Sequence, residues 1–76
     1  MRDEERAAEE RQRAVIAHRR AVKARRWSLR ELRLNAAIRF AREAEALEQE
    51  ALGHLGAARR FERGEEGSTD RPASLG

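Results

Sequence analysis

The first 52 residues of this 76-residue chain contain no glycine and no proline. The same stretch is dominated by alanine, arginine and glutamate, which are among the strongest helix formers. Because such a stretch lacks the usual breakers of helical structure, the sequence predicts an all-α protein. The sixteen arginines, against a single lysine, are also typical of proteins from GC-rich bacterial or phage genomes.

A first helix is predicted at about residues 4–26. Asp3 is placed to cap its N-terminus, and Glu4 and Glu5 favour the positive end of the helix dipole. Small apolar residues repeat every seven positions along it and so lie on one face. This stripe consists of Ala7 and Ala8, Ala14 and Val15, and Ala21 and Val22, with Arg11, His18 and Arg25 between them.

The first helix is predicted to end near Trp27 and Ser28. Ser28 followed three residues later by Glu31 matches a capping box, which marks the start of a second helix at Leu29. Trp27 before the cap and Leu32 inside the helix match a hydrophobic staple. Since no glycine or proline is present, the pattern leaves open whether 27–28 form a tight turn or a kink.

A second helix is predicted from Leu29 to Leu52. Gly53 and Gly56 weaken its far end, so either a short third helix follows at 57–63 or the second helix continues through the glycines. Its main apolar stripe is Leu29, Leu32, Ala36, Phe40, Ala44, Leu47, Ala51 and Leu55. The predicted architecture is an antiparallel two-helix hairpin domain at 1–63, followed by a flexible tail at 64–76 with the composition of a disordered segment.

From residue 29 to 41 the second helix is apolar over more surface than one alanine-rich partner helix covers. A chain this short also buries little surface when alone. The sequence therefore predicts completion by self-association into a helical bundle or by a helical protein partner. The expected function is regulatory or adaptor-like, through an interface formed by Leu29, Leu32, Leu34, Ile38, Phe40 and Ala41.

The segment 18–33 holds seven basic residues against one glutamate, although the whole chain carries a net charge of only +3. Arginine pairs well with phosphate, and an exposed indole can stack on bases. The alternative hypothesis is therefore a nucleic-acid binder. Its contact residues would be Arg19, Arg20, Lys23, Arg26, Trp27, Arg30 and Arg33.

Other kinds of activity have no support in the sequence. The chain has no cysteine, and its two histidines, His18 and His54, lack the spacing of a zinc site. No Gly-rich phosphate loop or activated nucleophile is present, so we expect no catalysis, cofactor, metal or small-molecule substrate. No segment has the length of a membrane span or the form of a signal peptide, so a cytoplasmic location away from membranes is expected.

Overall fold

In the computed structural model, which describes residues 2–64, the chain forms two antiparallel α-helices. Helix α1 spans Asp3–Arg30, and helix α2 spans Leu34–Arg63. The predicted all-α helical hairpin is confirmed. The molecule is a slab of 53 × 26 × 13 Å, so it is a single helix thick in its shortest dimension.

Helix α1 begins one residue earlier than the sequence indicates. Arg2 is the N-cap, and its backbone N–H donates to the Glu5 carboxylate at 3.0 Å. Asp3, predicted as the cap, is instead the first helical residue. Asp3, Glu4 and Glu5 all lie in the first turn, where their charges stabilise the positive end of the helix dipole.

The predicted break at 27–28 is wrong. Helix α1 continues through Trp27 and Ser28, and the chain turns at 31–33. The Ser28 hydroxyl donates to the Ala37 carbonyl oxygen at 2.8 Å, so this side chain links the two helices and does not cap one of them. Leu32 is 98% exposed in the connection, so the predicted staple with Trp27 does not form.

The connection is held by contacts of Glu31. Its carboxylate accepts hydrogen bonds from the backbone N–H and the Nε of Arg33, at 3.1 and 3.0 Å. These bonds, led by the one from the Arg33 side chain, lower the pKa of Glu31. Glu31 and Arg33 both have extended backbone angles, which end one helix and start the next without glycine or proline.

Helix α2 passes through Gly53 and Gly56 without interruption and ends at Gly64. Gly64 adopts a left-handed conformation, with φ of 77°, which favours glycine at a helix C-terminus. Of the two alternatives for this region, the continuous helix is the one observed, and residues 57–63 form no separate third helix. Of the predicted tail at 64–76, all but Gly64 lies outside the described residues.

The contact between the helices is made almost entirely of alanine. Leu47 is the one large apolar residue among its buried members. Since alanine has only a methyl group, the helices can approach closely but bury little apolar surface. The buried residues are Ala7, Ala14, Ala17, Ala21 and Ala24 on α1, and Ala36, Ala44, Leu47, Ala51 and Ala58 on α2.

The predicted stripes are correct in part. Ala7, Ala14 and Ala21 are buried as expected, but the intervening buried positions are Ala17 and Ala24. The positions predicted to complete the stripe of helix one are exposed: Arg11, His18 and Arg25. On α2 the stripe holds from Ala36 to Ala51, whereas Leu29, Leu32 and Leu55, predicted to belong to it, are exposed.

Within residues 2–64, neither helix has the length and apolar character to cross a membrane.

Candidate interaction surfaces

One broad side of the slab carries most of the large apolar side chains. On α1 they recur every seven residues, and on α2 they recur at intervals of three, four and fourteen, so each set shares one helix face. All are between 36% and 83% exposed. We call this side the apolar face: Val15, Val22 and Leu29 of α1, and Leu34, Ile38, Leu52 and Leu55 of α2.

A groove runs between the helices on the apolar face. Val15 of α1 and Leu52 and Leu55 of α2 form its walls, and Ala14 and Ala51 form its floor. His18, Arg19 and Glu48 complete its lining. The groove is open and predominantly apolar, which suits an apolar side chain from another helix.

Ion pairs join the two helices along the apolar face. Arg25 donates to Glu48 through both Nε and Nη2, at 2.9 to 3.1 Å. Arg11 pairs with Glu62, and this ion pair lies two heptads along each helix from the pair of Arg25 and Glu48. These side chains are about half exposed, so each pair contributes at most about 1 kcal/mol to the hairpin.

The predicted interface is divided between three places. Leu29, Leu34 and Ile38 lie on the apolar face, with half-buried Ala41 on the same side of α2. Leu32 lies in the connection, and half-buried Phe40 packs against Trp27, with 6.4 Å between ring centroids. Phe40 therefore makes a contact within the hairpin, apart from the predicted interface residues on the apolar face.

Sequence reasoning missed four of the seven residues of the apolar face. Val15 and Val22 were assigned to the contact between the helices, and Leu52 and Leu55 were not included in the interface. The signal was present, since Val15, Val22 and Leu29 are spaced by seven. The predicted break before Leu29 hid this spacing because it assigned Leu29 to a different helix.

The opposite side of the slab carries the aromatic contacts. Trp27 and Phe40 line a groove with Arg20, Lys23 and Glu43. The Arg6 guanidinium lies over the Phe61 ring, 5.7 Å from its centroid, near the other end of the hairpin. Trp27 is 49% exposed, so it both packs on Phe40 and reaches solvent.

Most of the predicted basic residues lie along the outside of α1. Because α1 is continuous, Arg19, Lys23, Arg26 and Arg30 follow one another at spacings of four, three and four along one line, which we call the basic ridge. Within residues 2–64 none of these four forms an ion pair. Arg20 lies instead beside Trp27, and Arg33 is paired with Glu31.

A small polar network connects Glu10 of α1 to α2. Its carboxylate is 2.6 Å from His54 Nδ1 and accepts from Arg13 at 2.7 Å. The hydrogen bond with His54, followed by that with Arg13, lowers the pKa of Glu10 despite the opposing effect of desolvation. Across the part of the chain that the structure describes, no three acidic or histidine side chains converge to hold a metal ion.

Comparison with known protein families, curated proteins and solved structures found no match to this chain. Its function is therefore inferred from its own surfaces. Those surfaces are the apolar face, the basic ridge and the polar network around Glu10.

The Glu10 network predicts a stability that falls in acid. Because the folded-state pKa of Glu10 lies below its ordinary value of 4.5, its contribution is complete above that pH and is lost as pH falls through the folded-state pKa. Glu10→Gln should cost about 1 kcal/mol near neutrality, measured by urea unfolding. The difference from the unsubstituted chain should shrink as pH falls below 4.5. Glu9→Gln, an exposed neighbour, is the control and should show no such change; equal curves for both variants would contradict the assignment.

Proposed function

We propose that this chain is a non-enzymatic regulatory or adaptor protein that acts through helix–helix association at its apolar face. One observation carries the proposal. The hairpin buries alanine between its helices and leaves seven larger apolar side chains exposed together on one side.

The distribution of apolar surface supports association. Fully burying a valine, leucine or isoleucine yields about 1.5–3 kcal/mol, several times what an alanine yields. Stable helical domains normally consist of at least two packed layers around a core. This hairpin is one layer, 13 Å thick, and most of its exposed large apolar side chains lie on the apolar face.

The test compares the full-length chain with its Leu52→Glu variant by sedimentation equilibrium and by binding of an apolar fluorescent dye. The unsubstituted chain should sediment as an assembly, and the variant as a monomer. A monomeric chain that binds the dye only when Leu52 is intact still supports association with another helical partner. A monomeric chain whose dye binding does not change in the variant overturns the proposal.

Nucleic-acid binding is a second candidate, favoured by one specific observation. Helix α1 runs unbroken to Arg30, so the four cations of the basic ridge lie on a single line and are not neutralised within the hairpin. Phosphate contacts by such a line of cations are sequence-independent and weaken steeply as salt rises.

For this second candidate, Trp27 fluorescence is titrated with mixed-sequence DNA and RNA at several salt concentrations. A binding ridge predicts a saturable change, and Arg26→Gln should reduce the slope of log affinity against log salt by about one. Arg59→Gln, the same change on the exposed surface of α2, should leave the slope unaltered. No fluorescence change at low salt, or equal slopes for both variants, would exclude the ridge as the contact surface.

A further inference from the structure

The charges of the apolar face are divided between its two helices. On α1 the charged positions beside the apolar residues are Arg11, Arg19 and Arg25, with His18 among them. On α2 the corresponding positions are three carboxylates and one arginine: Glu45, Glu48, Glu62 and Arg59. One edge of the face is therefore basic and the other is predominantly acidic.

Packing this face on a copy of itself about a two-fold axis allows two arrangements. With the axis parallel to the helices, α1 of each copy lies over α2 of the other, and both connections lie at the same end. With the axis across the helices, α1 lies over α1 and α2 over α2, and the connections lie at opposite ends. Only the first arrangement places the basic edge of one copy over the acidic edge of the other.

In the first arrangement each ion pair of one copy lies over the same ion pair of the other copy, with the arginine of one facing the glutamate of the other. Arg25 of one chain would lie at the level of Glu48 of the other, because these residues already lie side by side within one hairpin. The four side chains would then alternate in sign. The second arrangement instead brings arginines of α1 against arginines of α1, which opposes association.

The size of the face is also sufficient for a stable dimer. Specific interfaces bury about 800 Å² on each partner. The broad side of the slab measures 53 by 26 Å, which exceeds that requirement. Two slabs packed face to face form a two-layer bundle of four helices, in which each helix is antiparallel to its adjacent neighbours.

We propose that the occupant of the apolar face is a second copy of this chain, packed about a two-fold axis parallel to the helices with both connections at the same end. This inference rests on the proposed function, since it names the partner of that face. The side chains of Val15, Leu52 and Leu55 from each copy would fill the groove of the other.

The test measures the distance between spin labels in the full-length assembly. The chain has no cysteine, so Leu32→Cys provides one labelling site in the exposed connection. Connections at the same end give a label separation within about the 26 Å width of the slab, and connections at opposite ends give one approaching its 53 Å length. A second sample mixes Leu32→Cys with Glu4→Cys, at the other end of the hairpin, and should show the long distance.

Each outcome has a definite meaning. A short Leu32 separation with a long mixed separation supports the proposed arrangement. The reverse result overturns the arrangement, although association through the face still stands. A chain that sediments as a monomer overturns the second copy as occupant, and the dye experiment on Leu52→Glu then decides separately whether the proposed function fails as well.

Discussion

Leu52→Glu is expected to weaken assembly of the chain at least about a hundredfold, equivalent to ~2.7 kcal/mol. Leu52 is 60% exposed and forms a wall of the groove on the apolar face. Glutamate there would bury a charge against apolar side chains and add to the negative charge of Glu48 one turn away. A two-fold interface contains the substitution twice, which increases the effect.

The matched control is Gln49→Glu. It introduces the same residue and the same charge change on the exposed outer side of α2, and glutamate forms helices as readily as glutamine and leucine do. Sedimentation equilibrium and thermal melts at several concentrations compare the two variants. If both assemble as the unsubstituted chain does, the apolar face is not the interface.

Ala44→Leu is expected to destabilise the hairpin by about 2–3 kcal/mol. Ala44 is 0% exposed and lies in the alanine contact between the helices, so a longer side chain there must displace its neighbours. Leucine at this position would force the helices apart and disturb the contacts on both sides, including that between Trp27 and Phe40. Chemical unfolding followed by circular dichroism measures the loss.

Ala46→Leu is the control for this prediction. It makes the same change two residues away, at an exposed position of the same helix, and should alter stability by no more than about 0.5 kcal/mol. Equal stabilities for the two variants would mean that the contact between the helices is looser than the buried alanines indicate. A gain in stability for Ala44→Leu would mean the same.

The helical class and the hairpin could be predicted because they depend on signals spread over many residues. The seven-residue repeat of alanine runs along both helices, and no glycine or proline occurs before Gly53. The position of the turn depends on a few local contacts. Ser28 and Glu31 match a capping box, but in the folded chain Ser28 bonds to Ala37 and Glu31 bonds to Arg33.

The misplaced turn changed the expected pairing between the helices. A turn at 27–28 would place His18 opposite 36–37, whereas His18 actually lies beside Glu48, Ala51 and Leu52. When the turn moves by a few residues, the residue that lies opposite a given position changes by about twice as many, because both helices of the antiparallel pair are displaced. The acidic residues near Glu48 therefore lie beside the basic segment, and Arg25 of that segment pairs with Glu48.

For the candidate surfaces, the sequence showed some features and not others. The sequence showed the regular spacing of the basic ridge, which consists of Arg19, Lys23, Arg26 and Arg30. These residues lie on one line only because α1 is continuous, and the sequence did not predict that continuity. Leu34 and Ile38 were predicted for the interface because the region around them is broadly apolar. Phe40 was predicted together with them because a sequence pattern does not reveal which edge of a helix faces its own partner helix.

The alanine contact between the helices has a calorimetric consequence. The heat capacity change of unfolding and the denaturant dependence both scale with the apolar surface that becomes exposed. A hairpin whose helices meet through alanine methyl groups exposes little apolar surface when it unfolds. Its free energy of unfolding should therefore change only gradually with temperature. In an assembled form, most of the heat capacity change would come from separating the chains, because that step exposes the valines, leucines and isoleucines of the apolar face.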